Sequence, residues 1–315
     1  MRLALSIFFS LIIATSSAQA RIAYVPFVMK EDFGIRPVVD ARIDDTAVAL
    51  AVHSGAAGLI ELTPEAADAL GYHDRIYAGQ YGIDRSGHLA SAGASRVRLG
   101  TLTIGPNITS PALAFVHALP GNKADILRSG KAGMLGIKWL RSSRAFVDFG
   151  GKRIGFPQEA NDTASARARL TEAGYTALPM IWNEKEAAYT VNVRLSGHSA
   201  NLIVNTVSAG YLDLPSSQAA GLVFGEQTGT AGGPKGATVP VYKPLAPLSI
   251  EIGGRHFPGF QPPAWDTGAY LSRSSAAEGA PAPGPIQGAL GATFWIARAA
   301  VIDFGGGWLF LAPSK

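Results

Sequence analysis

The 315-residue sequence contains no cysteine, which excludes disulfide bonds, thiol catalysis and cysteine-ligated metals. It also lacks a strong charge of either sign, because 27 Lys and Arg against 23 Asp and Glu leave a formal net charge of +4. The basic residues are scattered rather than clustered, so nucleic acid is not an expected partner. The six histidines are equally dispersed, with no pair at metal-ligand spacing. We therefore expect neither a metal nor another cofactor.

Long apolar runs are missing after the first 20 residues. Arg2 supplies a positive start, residues 3–14 are apolar but too few to span a bilayer, and residues 18–20 (AQA) form a small-x-small motif before Arg21. This pattern predicts a secretory signal peptide over residues 1–20. We expect export, with the periplasm favoured over the medium, and no stable membrane insertion.

The chain is rich in the residues that punctuate strands. It has 37 glycines and 20 prolines, together with many short alternating runs of valine and isoleucine. Such a composition favours many short strands and turns over long helices. A short helix is predicted over residues 64–70, where Thr63 offers an N-cap and Pro64 the first helical position. The predicted fold class is all-β with short helices.

One apolar stretch with a sharp turn organises the first half of the chain. Residues 47–62 (AVALAVHSGAAGLIEL) run as a strand into His53-Ser54-Gly55, pass Ala56, and continue as a second strand. Residues 200–214 (ANLIVNTVSAGYLDL) repeat this arrangement, with the turn at Asn205-Thr206-Val207-Ser208. Each turn is thus flanked by strands that should be buried.

A second pair of motifs follows the same repeat. Gly133-Met134-Leu135-Gly136 precedes VDFGG in the first half, and Gly288-Ala289-Leu290-Gly291 precedes IDFGG in the second. The two offsets, 152 residues for the turns and 155 for the Asp-Phe-Gly-Gly motifs, nearly agree and indicate an internal duplication. The predicted domains after the signal peptide are a first lobe over 21–157, a linker over 158–179, and a second lobe over 180–315.

These paired motifs resemble those of retropepsin-like aspartic proteases. The resemblance implies two retropepsin-like lobes arranged as a pseudo-dimer, with Gly-rich flaps at residues 77–93 and 225–236. It also implies strands around Leu135-Gly136 and Leu290-Gly291 that frame the turns. Ser54 and Thr206 are the hydroxyl residues that would brace the two turns against each other.

The resemblance fails at the two positions where the family carries its catalytic aspartates. Here they are His53 and Asn205, and an imidazole facing an amide cannot share a proton as two carboxylates do. Val207 departs further, since a tight turn there calls for glycine and a β-branched residue resists positive φ.

Two routes to activity stay open in the sequence. The string Trp265-Asp266-Thr267-Gly268-Ala269 contains the family's Asp-Thr-Gly-Ala pattern, but it follows two prolines and lies 22 residues before Gly288, against 80 between His53 and Gly133. A surface turn at Asp266 is therefore the favoured interpretation. His53 could alternatively act as a general base, although no acid is fixed beside it in sequence.

Three hypotheses follow for function. The favoured one is an inactive, protease-like protein that binds an extended peptide or protein segment between its lobes, as a monomer with an internal pseudo-two-fold axis. The second is an active endopeptidase that uses Asp266 or His53. The third is a scaffold within an envelope assembly.

Overall fold

The computed structural model describes residues 21–31, 35–80, 93–109, 112–117, 126–184, 187–207, 212–213, 223–232, 238–260, 264–265 and 288–313. Within these ranges the chain is mostly β-strand with four short helices, which confirms the predicted all-β class. The strands of the first half are β1 (Ile22–Lys30), β2 (Arg36–Ile43), β3 (Thr46–Val52), β4 (Ile60–Leu62), β5 (Ile76–Gln80), β6 (Gly93–Leu99), β7 (Leu102–Ile104), β8 (Asn107–Thr109), β9 (Ala112–Val116), β10 (Gly133–Leu135), β11 (Phe146–Asp148) and β12 (Arg153–Pro157).

The second half begins within residues 158–179, the predicted linker, and also consists mainly of short strands. Its strands are β13 (Thr176–Pro179), β14 (Ile181–Asn183), β15 (Ala188–Leu195), β16 (His198–Val204), β17 (Leu212–Asp213), β18 (Phe224–Gly232), β19 (Thr238–Pro244), β20 (Leu248–Ile252), β21 (Arg255–Phe260), β22 (Ala264–Trp265), β23 (Ala289–Leu290), β24 (Val301–Asp303) and β25 (Trp308–Leu311). The helices are α1 (Pro64–Ala69), α2 (Ile137–Ser142), α3 (Asp162–Glu172) and α4 (Ala292–Ala297). The sequence also predicts a weaker helix over residues 216–220, which lie outside the described residues.

Six neighbouring strands of the described 15-stranded sheet form a layer shared by the two halves, in the order β13-β25-β24-β11-β12-β1. At its centre β11 and β24 pair antiparallel, with Val147 opposite Ile302. These two strands are the equivalent Val/Ile-Asp-Phe segments of the two repeats. The two motifs that recur in the sequence therefore lie side by side, as an antiparallel pair, at the centre of this layer.

Each half adds its own lobe to this shared sheet. In the first, β2 and β3 form a hairpin, and β10 inserts between β3 and β4, parallel to one and antiparallel to the other. In the second, β15 and β16 form the matching hairpin, and β23 inserts in the same way between β16 and β17. A separate three-stranded sheet, β18-β19-β22, corresponds to the β5-β6-β9 region of the first lobe.

Local sequence explains where the short helices begin and how they pack. At α1 the Thr63 hydroxyl accepts a hydrogen bond from the Ala66 N–H, and Pro64 occupies the first turn, as the sequence predicted. Helices α2 and α4 both start after a glycine that ends a framing strand. Trp139 on α2 and Trp295 on α4 are fully buried, so each helix anchors its lobe through one large aromatic residue. No helix among the described residues is long and apolar enough to cross a membrane.

Candidate functional site

The two predicted turns meet at the centre of the molecule. A Cβ atom built on Gly55 would lie 2.9 Å from His53 Nε2 and 3.1 Å from both Asn205 Nδ2 and Asn205 Oδ1. The imidazole of the first half and the amide of the second half therefore converge on the same glycine. The positions that the sequence matched to two aspartates are neighbours in space.

Hydroxyl groups brace the two turns through four hydrogen bonds that cross between the halves. Ser54 N–H donates to Thr206 Oγ1 at 2.9 Å, and Thr206 N–H donates to Ser54 Oγ at 2.9 Å. The Ser54 hydroxyl donates to the Val204 carbonyl at 2.6 Å, and the Thr206 hydroxyl donates to the Val52 carbonyl at 2.6 Å. Both side chains are buried, so these bonds form away from competing water.

The framing strands fix where the two turns start. The His53 N–H donates to the Leu135 carbonyl at 2.9 Å, and the Asn205 N–H donates to the Leu290 carbonyl at 3.0 Å. After the first of these strands the chain has no room for a side chain, since a Cβ on Gly136 would lie 2.2 Å from the Gly58 carbonyl oxygen. The two turns thus leave equivalent strands at equivalent places.

The sequence-based argument about Val207 was wrong in its physical reason. Neither Gly55 nor Val207 has a positive φ, so the turn asks for no left-handed residue at this position. What restricts Gly55 is space, because a Cβ there would press on His53 and Asn205. Ala56 lies on the buried side of the first turn, whereas Ser208, the corresponding residue of the second, is outside the described residues.

His53 lies beside a thioether and is withdrawn from solvent. Its Nδ1 lies 3.0 Å from the Met134 sulfur, and burial lowers the pKa of the imidazole, an effect that the negative charge of Glu61 partly opposes. The neutral ring is therefore favoured at neutral pH. A proton on Nδ1 would face the thioether, which leaves the lone pair of Nε2 directed toward Gly55 and Asn205.

Asn205 is held by its own backbone and by a tryptophan. Its Oδ1 accepts a hydrogen bond from the Val207 N–H at 3.1 Å, and its carbonyl accepts one from Trp295 Nε1 at 2.9 Å. An amide fixed in this way cannot gain or lose a proton in the physiological range. The second turn consequently contributes no acid or base at the place where the resemblance expects one.

A buried ionisable pair near His53 was missed by the sequence analysis. Glu61 Oε2 lies 2.9 Å from His117 Nε2, and their side chains are only 6% and 2% exposed. Glu61 is the single charged residue within an otherwise apolar strand, which was the available signal. Its partner is 56 residues away along the chain, so the pairing itself could not be read from local pattern.

Asp266 is the acidic candidate that the sequence offered outside the two turns. Asp266 lies outside the described residues, and the preceding Trp265 pairs with Val241 in the β18-β19-β22 sheet rather than in a turn between framed strands.

In the first Asp-Phe-Gly-Gly motif, Asp148 accepts hydrogen bonds from the Gly151 N–H at 2.7 Å and Arg153 Nε at 2.8 Å. Asp303 accepts equivalent bonds from the Gly306 N–H at 2.9 Å and Arg167 Nε at 2.6 Å. Both carboxylates therefore close turns of the shared sheet.

Among the described residues, no three histidine or acidic side chains cluster as a set of metal ligands would. The residues that converge at the turns offer one imidazole, one amide and two hydroxyls. The hydroxyls are committed to backbone partners. This set can bind polar groups of a ligand, and His53 alone could accept a proton.

Comparisons with known proteins concern the fold. No family model matches the sequence, and no curated protein sequence matches it. A retropepsin-like aspartic protease from Rickettsia conorii matches in structure with 18% identity over 41% of this chain and 86% of its own, at a TM-score of 0.30. An aspartic proteinase from Irpex lacteus matches with 14% identity over 94% of this chain and 98% of its own, at a TM-score of 0.47. The two-lobed, aspartic-protease-like fold of this chain follows from its own duplicated turns, framing strands and shared sheet.

Proposed function

We propose that this protein is an exported, protease-like binding protein that holds an extended peptide or protein segment between its two lobes without hydrolysing it by aspartic catalysis. The observation that carries the proposal is the meeting of His53 and Asn205 at Gly55. Aspartic hydrolysis needs a carboxylate that takes a proton from water and a carboxylic acid that polarises the carbonyl. An imidazole and an amide supply neither half of that pair.

The brace supports retention of the binding cleft. Four buried hydrogen bonds fix the two turns relative to each other although the residues beside them carry no catalytic carboxylate. A cleft held in this way loses little conformational entropy when it receives a ligand, which favours binding.

Exposed apolar residues on the two Gly-rich hairpins support a peptide as the ligand. Ile76 and Tyr77 on β5 are 76% and 68% exposed, and Val223, immediately before β18, is 64% exposed. Strands β5 and β18 each end their sheet, so their outer backbone groups can pair with an added strand. Main-chain pairing with apolar side-chain contacts is the general mode by which edge strands hold extended peptides.

Binding is tested with a displayed library of random dodecapeptides and fluorescence anisotropy of the selected sequences. We expect Ile76→Glu to weaken binding at least tenfold, because it places a charge on the β5 edge. Ile108→Glu is the matched control, since Ile108 is 67% exposed but lies on the separate β7-β8 hairpin. Equal effects of the two substitutions, or no selectable peptide, would contradict the peptide-binding proposal.

Inactivity is tested separately by incubation with denatured casein from pH 3 to pH 8, with and without pepstatin. We expect no cleavage by the natural sequence. Cleavage at acid pH that Asp266→Ala abolishes would establish an aspartic endopeptidase and overturn the proposal.

A second candidate function is hydrolysis with His53 as general base, favoured by the burial that keeps its imidazole neutral. Such activity would be insensitive to pepstatin, would rise with pH through the pKa of His53, and would be lost in His53→Gln. Cleavage with these three properties would replace the binding proposal, whereas the absence of cleavage at any pH would exclude this alternative.

The exported location is proposed from the sequence of residues 1–20 alone. Expression of the full chain in a Gram-negative host, followed by osmotic-shock fractionation, should release the protein with the periplasmic fraction. Retention of the full-length chain in the cytoplasm would contradict export.

A further inference from the structure

The first described residue of the chain is anchored by a buried carboxylate. The backbone N–H of Arg21 donates to Asp162 Oδ1 at 2.8 Å, across 141 residues of sequence. Asp162 Oδ2 accepts two more backbone N–H groups, from Gln158 at 2.9 Å and Glu159 at 2.6 Å. The Arg21 carbonyl in turn accepts from the Gln158 N–H at 3.1 Å. Arg21 is thus held on both its donor and its acceptor side.

Asp162 is suited to hold a positive charge at this place. Its side chain belongs to a residue only 6% exposed, and these backbone hydrogen bonds, that from Arg21 first among them, lower the pKa of its carboxyl group. The other charged residues in contact with it are Arg21, whose charge also lowers the pKa of Asp162, and the exposed Glu159 in the preceding turn. The carboxylate therefore stays ionised through the neutral range.

The hydrogen bond between Arg21 and Asp162 lies next to β1, at one end of the six strands that the two halves share. Strand β13 of the second half enters this sheet directly from α3, so its start is fixed by the covalent chain. Strand β1, at the other end of this six-stranded layer, has no helix before it in the described chain. Asp162 at the beginning of α3 holds the residue that precedes β1, which then pairs with β12 from Ile22 to Pro26 and with β2 further along.

We propose that Asp162 is the binding site for a new chain terminus, the α-ammonium group of Arg21, created when residues 1–20 are removed. A signal peptidase would hydrolyse the bond between Ala20 and Arg21, with water supplying the carboxylate oxygen to Ala20 and the protons of the amine to Arg21. The neutral amide donor then becomes a charged one, and a charge-assisted hydrogen bond is shorter and stronger than a neutral one. Processing would in this way lock β1 into the sheet that joins the two lobes.

The sign of the pH dependence follows from this ion pair. An α-amino group has a pKa of about 8 in an unfolded chain, and a carboxylate in contact with it should raise that pKa in the folded protein. The stabilisation is complete below pH 8 and is lost as the pH rises through the folded-state pKa. Protonation of Asp162 removes it at the acid end.

The first arm of the test identifies the terminus. Protein exported with its own leader is purified, and its N-terminal peptide is sequenced by mass spectrometry. We expect Arg21 as the first residue. A terminus at any other residue overturns the proposal, and this outcome is independent of whether the cleft binds peptides.

The second arm measures the ion pair by comparing chains that begin at Arg21 with a free amine or with an acetylated one, each with Asp162 or with Asp162→Asn. Acetylation should lower the Tm by about 2–4 °C at pH 7 in the Asp162 protein and leave it unchanged in the Asp162→Asn protein. Equal shifts in both backgrounds would show that the charge on Arg21 does not act through Asp162.

A third measurement avoids any variant that fails to fold. The Tm difference between the free and acetylated wild-type chains is followed from pH 6 to pH 10.5, and the amine pKa is measured by NMR of the ¹⁵N-labelled terminus. We expect the difference to vanish above the measured pKa, and that pKa to exceed 8. A difference that does not change with pH, or an unshifted amine pKa, would overturn the proposal.

Discussion

Replacing Thr206 by valine should destabilise the protein far more than the loss of one buried hydroxyl usually does. Valine preserves the shape of threonine, and removal of the hydroxyl leaves the Ser54 N–H and the Val52 carbonyl without partners across the junction of the two halves. A buried hydrogen bond contributes about 1 kcal/mol net, and an orphaned buried donor or acceptor costs about 1–3 kcal/mol. We therefore expect the free energy of unfolding to fall by about 2–4 kcal/mol.

The chain offers a matched control in Thr190. It is also buried, at 1% exposure against 0% for Thr206, but its hydroxyl makes a single 3.3 Å bond to the Ile181 carbonyl within the second half. Thr190→Val should cost about 1 kcal/mol. Urea unfolding followed by tryptophan fluorescence measures both variants, and equal losses for the two would refute the argument that the brace joins the halves.

Ser54→Ala extends the test to a double-mutant cycle. The two hydroxyls do not bond to each other, so simple addition would predict that the losses of Ser54→Ala and Thr206→Val sum in the double variant. Because each hydroxyl holds the backbone that the other one contacts, we expect instead a coupling of about 0.5–3 kcal/mol. Strict additivity would mean that the two turns are positioned independently.

Three further predictions concern the site. NMR titration should give the His53 imidazole a pKa below about 6.5, its ordinary value. Because burial lowers this pKa in the folded state, the protein should keep its full stability above pH 6.5 and lose part of it as the pH falls through the folded-state pKa. His53→Gln should remove this part of the acid sensitivity. Gly55→Ala should lower the free energy of unfolding by about 1–3 kcal/mol, because the added methyl group crowds His53 and Asn205. The combined Gly55→Ala and His53→Ala protein should regain most of this stability. If thermal unfolding shows no such gain, the strain does not arise from contact with His53. Glu61→Ala should lower the free energy of unfolding by about 3–5 kcal/mol, because it removes the carboxylate that contacts the buried His117. Glu61→Gln keeps a hydrogen-bonding group at this place and should cost less; equal losses for the two variants would contradict a contribution from the hydrogen bond itself.

The parts of the fold that could be predicted are those that depend on residues close together in the sequence or on motifs that recur in both halves. The apolar strands on either side of His53 and Asn205 and the Gly-Met-Leu-Gly and Gly-Ala-Leu-Gly motifs recur at nearly constant offset, and a repeat of this kind fixes equivalent neighbours in both halves. The cap at Thr63 depends on residues three positions apart. Such signals survive folding because their partners lie within a turn or within the repeat.

The parts that escaped prediction depend on distant partners or on space. Asp162 begins a helix like many aspartates, and nothing near it indicates a hydrogen bond to Arg21. Glu61 stands out as a charge in an apolar strand, but only the fold brings His117 to it. At Val207 the sequence argument invoked the backbone, whereas the actual restriction at the equivalent Gly55 is the volume available beside two side chains.

The four hydrogen bonds that brace the two turns form a frame that does not depend on the side chains at positions 53 and 205. Each bracing bond runs from one half to a hydroxyl or carbonyl of the other, and the paired lengths are equal, 2.9 Å for both N–H donors and 2.6 Å for both hydroxyl donors. None of the four involves the side chain at position 53 or 205. The frame can therefore hold two equivalent positions in register whatever residues occupy them, and a ligand-holding cleft needs only the frame. Proton transfer between water and a peptide bond needs the acids as well, and this is the reason we propose binding rather than aspartic hydrolysis for this protein.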